Sequence, residues 1–232
     1  MNKYLIGGVA AALAFAAFAY TQVDLGRKML GMDMATGSEK SESTKAFGDA
    51  MAIMMKDMMA PPTGVADVDF VNGMIPHHEG AIAMANAAKK YVTDPVLLKL
   101  ADDIIKAQKG EITFMKGWLA KTDPASMAKA PDSIKANEAA MATMMKDMMT
   151  PYTGNADLDF VRGMVPHHQG AIDAAGVVLK FGSDPEVKSL AEGVVKAQVV
   201  HQATADSTPS SSRGPPVAPA AAHGSLNRTR AL

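Results

Sequence analysis

Apolar positions along this chain recur at helical spacing, and no stretch sustains the period-two alternation of a half-buried strand. Between Lys45 and Met59, Met51, Met54, Met55, Met58 and Met59 fall at i, i+3, i+4, i+7 and i+8, one continuous stripe on a helix. Pro61-Pro62 ends that helix, because proline lacks the amide proton that continuation needs, and Thr63-Gly64 adds a turn signal. A second helix is predicted from about Asp67 to Tyr91, with Asp67 and Asp69 suited to its positive N-terminal end. Asp94-Pro95 opens a third as N-cap and first helical residue, running to about Lys121. The same order returns from about Ile134.

That return is an internal repeat offset by 90 residues. MAIMMKDMMAPPTGVADVDFVNGMIPHHEGAI, from Met51, and MATMMKDMMTPYTGNADLDFVRGMVPHHQGAI, from Met141, are identical at 24 of 32 positions. Asp94-Pro95 matches Asp184-Pro185, and Ala107-Gln108 matches Ala197-Gln198. So close a repeat predicts a duplicated three-helix unit. Residues 45–122 form the first unit and 128–203 the second. Three amphipathic helices bury their faces poorly alone, so the expectation is an all-α antiparallel bundle, either two small bundles or one shared by both units. Gly80-Ala81 and Gly170-Ala171 are small enough for close helix approach, and Trp118 reads as a packing anchor.

The two ends differ from this frame. Lys3, the apolar run Leu5–Phe18 and the small-x-small Ala17-Phe18-Ala19 read as an export signal over residues 1–20, the rival being an uncleaved anchor. Either way a periplasmic or secreted location is expected, with the membrane touched only through that segment. Residues 21–44, carrying Met29, Met32 and Met34, read as a flexible leader. After Gln198 the repeat stops: KGEITFMKGWLAK in the first unit faces VVHQATADSTPSSSRGPPVAP in the second. The third helix of the second unit is therefore expected to be cut short, and residues 204–232 to be disordered or frameshifted.

Composition narrows the chemistry. The 232 residues carry a formal charge of −1 with no basic stripe, which leaves no electrostatic footprint for nucleic acid. There is no cysteine, so disulfides, thiolate metal sites and thiol catalysis are excluded together. There are 19 methionines. Methionine is often flexible core filler, but a seam made wholly of thioethers specifies packing poorly, so stability alone gives no reason for it.

The sulfur lies beside paired histidines. Met74, Pro76, His77, His78 and Met84 share the second predicted helix, with Met74 three and four residues before the two rings. Pro76 is expected to kink that helix or start a new turn. The second unit repeats Met164, Pro166, His167 and His168, and Met144, Met145 and Met148 repeat Met54, Met55 and Met58. Thioether sulfur is a soft neutral donor suited to cuprous ion, and imidazole suits copper in both oxidation states as well as zinc. The candidate ligands are therefore Met54, Met55, Met58, Met59, Met74, His77, His78 and Met84 in the first unit. In the second they are Met144, Met145, Met148, Met164, His167 and His168. Glu111 and, four residues on, Met115 add to the first unit; the second is expected to lack counterparts, and Ala174 replaces Met84, so the first unit should bind better. A carboxylate-bridged di-iron centre needs Glu-x-x-His on two helices, and no such motif occurs.

DFVNGMIPHHEGAIAMA, followed by a Gln-x-x-Glu-Ile…Met…Trp helix, resembles domain-of-unknown-function family 305, over about residues 45–203 and in both repeats. The resemblance implies a ferritin-like helical bundle, frequent export and, for Met- and His-rich members, copper binding and copper tolerance. It matches Met74, His77, His78, Glu111 and Met115 in the first unit and Met164, His167 and His168 in the second. The expected function is an extracytoplasmic copper-binding protein that sequesters or carries the ion, cuprous favoured, with a copper-delivery protein as a possible partner. No Ser-His-Asp set, phosphate loop or nucleophilic Cys is visible, so no enzyme is expected. The alternatives are a structural or partner-binding bundle using methionine as an adaptable surface, and a metal-dependent redox enzyme.

Overall fold

A computed structural model describes residues 41–207; the signal, nearly all of the leader and most of the tail read from the sequence lie outside them. The described residues form six α-helices and no strand: α1 (Glu42–Asp57), α2 (Ala66–Tyr91), α3 (Pro95–Leu119), α4 (Pro131–Met148), α5 (Ala156–Phe181) and α6 (Pro185–Asp206). A short 3₁₀ turn, Pro124–Ser126, lies between α3 and α4. Among the described residues no helix is long and apolar enough to cross a membrane.

Local chemistry fixes the helix starts. Asp94 accepts from the amides of Val96 and Leu97, and Asp184 from those of Glu186 and Val187, each just ahead of a proline at the first helical position. Asp69 and Asp159 each close the turn before their own helix. Asp69 accepts from Thr63 N–H at 2.6 Å and Gly64 N–H at 2.9 Å, and Asp159 repeats the contacts with Thr153 and Gly154. Those glycines have φ of 80° and 84°, a left-handed turn that a side chain would strain.

Asp67 and Asp157 act across the molecule. Asp67 accepts from the Ser183 and Asp184 amides between α5 and α6, and Asp157 from the Thr93 and Asp94 amides between α2 and α3. Each half of the chain thus ties down the other half's turn.

The long helices α2 and α5 run antiparallel through the centre. One core joins Ala81, Met84 and Ala85 of α2 to Phe160, Val161 and Met164 of α5, with Phe47 of α1 and Leu97, Leu100 and Ile104 of α3. The other joins Val68, Val71 and Met74 to Ala171, Ala175 and Val178, with Met115 and Trp118 of α3 and Val187 and Val194 of α6. Both cores mix the halves, so the apolar faces close in one shared bundle rather than two small ones.

One expectation is narrowed and one is corrected. Pro76 and Pro166 sit inside unbroken helices and start no new turn. The loss of one ladder bond at each proline is outweighed by packing, and the carbonyls deprived of a donor belong to Asn72, which is exposed, and Arg162, which is half-buried. The third helix of the second half is not cut short at Gln198. It runs to Asp206, because residues 187, 191, 194, 198, 201 and 205 keep a buried face at helical spacing through the divergent segment.

Candidate metal centre

The midpoint of the α2–α5 crossing holds the histidines. His77 Nε2 lies 3.0 Å from the carbonyl oxygen of His167, and His167 Nε2 lies 3.1 Å from that of His77. A carbonyl only accepts, so both Nε2 atoms carry the proton and both neutral rings leave a lone pair on Nδ1. Neither Nδ1 has a hydrogen-bond partner, and both are buried. The two rings approach to 3.7 Å between centroids. Burial lowers the His77 pKa to about 3, with the neighbouring His78 adding to the effect. Burial also holds His167 well below the ordinary imidazole value. These rings are neutral at any physiological pH, the form in which imidazole ligates a metal.

Two further rings flank the pair. His78 Nε2 meets a carboxylate oxygen of Glu111 on α3, leaving its buried Nδ1 unpartnered. An imidazole anchored through one nitrogen to a carboxylate or carbonyl, with the other nitrogen free, is the usual state of a metal-ligating histidine. On the other side His168 lies beside His201 of α6, ring centroids 5.2 Å apart. Burial lowers the pKa of His168, and His201 adds to this; burial also lowers that of His201. Centroid separations of 6.1, 3.7, 6.1 and 5.2 Å link His78, His77, His167, His168 and His201 into one row.

The described methionines fall into three clusters, with a few outside them. Met51, Met54, Met144 and Met148 form one buried cluster, with Met55, Met58 and Met141 packed against it. The stripes of α1 and α4 therefore merge into one shared body of sulfur. Met54 lies over Gly80, where a Cβ would come within 2.7 Å of its Sδ, and Met144 lies the same way over Gly170. Gly80 and Gly170 stand one helical turn beyond His77 and His167, so these two glycines admit sulfur to the helix surfaces that bear the rings.

The remaining candidates go elsewhere. Met74 and Met115 join one apolar core, and Met84 and Met164 the other. Met84 reaches across to Gly163 of the opposite half. Met59, past the end of α1, is 78% exposed, and Met145 is half-buried outside the sulfur cluster. Glu79 accepts from Lys116 on the exposed side of α2. Among the described residues no three His, Asp or Glu side chains gather where they could hold a metal ion.

His201 escaped the sequence reading. It stands 90 residues after Glu111, in the segment where identity between the halves fails.

The family described as Domain of unknown function (DUF305) matches residues 67–204. The chain belongs to that family. Solved structures similar to it include CopM in the Cu(I)-bound form, 29% identical, covering 60% of this chain and 92% of that one at a TM-score of 0.45. A DUF305 fragment from Deinococcus radiodurans is 27% identical, covering 63% and 96% at a TM-score of 0.46. Uncharacterized protein L153 of Acanthamoeba polyphaga mimivirus is 42% identical over 55 residues, and the chain spans 36% of that relative's length.

Proposed function

We propose that this DUF305 protein binds copper, cuprous ion above all, outside the cytoplasm, and sequesters or carries it rather than catalysing a reaction. The observation that carries the reading is the pair His77 and His167. Their Nε2 protons are committed to backbone carbonyls and their Nδ1 lone pairs are buried without partners, one turn from glycines that admit Met54 and Met144. A buried imidazole nitrogen with no partner costs free energy that a bound soft ion would recover. Neutral nitrogen and thioether sulfur are the donor set that favours monovalent copper. The ligands assigned are His77 and His167 with Met54 and Met144, supported by Met51, Met55, Met58, Met141 and Met148; His78 and His168 flank them. The pseudo-symmetry of the pair, with residues 90 apart exchanging the same bond, fits two units descended from one duplicated three-helix ancestor.

X-ray absorption at the copper edge on cuprous-loaded protein tests the assignment. A first shell of mixed sulfur and nitrogen is expected. A shell of nitrogen and oxygen alone removes the thioethers from the site and defeats the reading.

A further inference from the structure

The two halves differ most sharply where the row of rings ends. In the first half His78 Nε2 is satisfied by Glu111. In the second half His168 Nε2 has no partner, and His201 occupies the place of Glu111. The His168 and His201 rings stand 5.2 Å apart at 38°, and no hydrogen bond joins them; His168 Nε2 and His201 Nδ1 are both buried and unpartnered. One tetrahedral ion that binds two imidazoles at metal–nitrogen distances of about 2.0–2.1 Å holds their centroids about 5 Å apart. Gln198, one turn before His201 on α6, contributes a third buried acceptor without a partner, its Oε1. Sulfur is thinner here. Met115, which shares a core with Met74 in the first half, is replaced by Ala205 beside Met164.

Two carboxylates oppose the burial that keeps the His201 ring neutral. Asp103 and Glu111 on α3 act on the His201 ring in the direction that stabilises positive charge. His201, at 8% exposure, is the most accessible of the five rings and gives the end of the row its approach from solvent.

We infer that His168 and His201, with the Gln198 amide oxygen, form a second metal site that takes a divalent borderline ion, cupric or zinc, rather than cuprous ion. Nitrogen and oxygen donors select such ions, and among first-row divalent metals copper binds them most tightly. The site uses none of the thioethers assigned to cuprous binding, so either reading can fail alone.

The test titrates the full chain with cupric ion, followed by electron paramagnetic resonance, and with zinc in competition with a chromophoric chelator. Wild type should show coupling to two ring nitrogens at the first cupric equivalent. His201→Phe should weaken cupric and zinc binding at least tenfold and leave cuprous uptake unchanged. A wild-type spectrum with oxygen ligands only overturns the inference without any variant having to fold. So does a helical His201→Phe protein that binds both divalent ions as wild type does.

Discussion

The two halves of the bundle share a backbone plan but give the same histidine different partners. His78 is anchored to Glu111, whereas His168, its equivalent 90 residues on, faces a second imidazole from His201, with His168 Nε2 and His201 Nδ1 both unsatisfied. A single residue at one helix position thus separates an end closed by an internal acceptor from an end that retains free donors. The halves are therefore not copies of one another at their ends. They share a central pair and a sulfur cluster, and they differ in what each adds at its end of the row.

Acidification tests four of the buried rings together and should have the largest effect. His77, His167, His168 and His201 all have pKa values lowered in the folded protein, chiefly by burial. The unfolded chain therefore takes up protons first as pH falls through about 6.5. Stability should be flat above that value. Below it, each ring should remove up to about 1.4 kcal/mol per pH unit, down towards its own folded pKa. Urea melts at pH 7 and pH 5 measure this, and His201→Gln should shallow the slope. A midpoint that does not move between those two pH values would contradict the neutral, buried state of the rings.

The cross-ties come next. Asp67 is buried and accepts from two amides of the α5–α6 turn. Asp157 makes the equivalent contacts while half-exposed. Asp67→Ala should cost about 2–3 kcal/mol, the usual worth of hydrogen bonds to a charged group, and Asp157→Ala about 1 kcal/mol. Equal losses in chemical denaturation would show that burial does not separate the two ties.

Glycines within α2 give a finer contrast. At Gly80 an added Cβ would stand 2.6–2.7 Å from three atoms of Met54, while at Gly73 it would meet nothing within 4 Å. Gly80→Ala should destabilise by about 1–3 kcal/mol through overpacking, whereas Gly73→Ala should stabilise by about 0.5–1 kcal/mol through helix propensity. Gly80→Ala should also weaken cuprous binding, because it displaces Met54. Smallest of all, Met59→Leu should leave cuprous affinity unchanged in a chelator competition, since Met59 lies exposed beyond the cluster.

Much of the fold was legible because it rests on local signals. The aspartate–proline pairs, the proline stops and the helical spacing of apolar residues mark α1 to α6 in the sequence, and the all-helical bundle is what forms. The merging of the two methionine stripes was not legible. It depends on how α1 and α4 come together, and each stripe reads the same whether it serves one site or half of one. The cross-chain roles of Asp67 and Asp157 were hidden for the same reason, since helix N-terminal charge accounts for them locally. His201 carried a usable signal. Positions 187, 191, 194, 198, 201 and 205 continue the helical spacing through the point where identity ends, and comparing positions rather than residues would have set His201 opposite Glu111.

Cuprous affinity measured by competition with a coloured chelator, in wild type, His77→Gln/His167→Gln and Met54→Leu/Met144→Leu, tests the central pairing most directly. Both double variants should bind at least a hundredfold more weakly while keeping their helical signal, because each removes half of a joint nitrogen–sulfur donor set. Wild-type affinity in either folded double variant would mean that copper, if it binds, is held somewhere other than the crossing of α2 and α5.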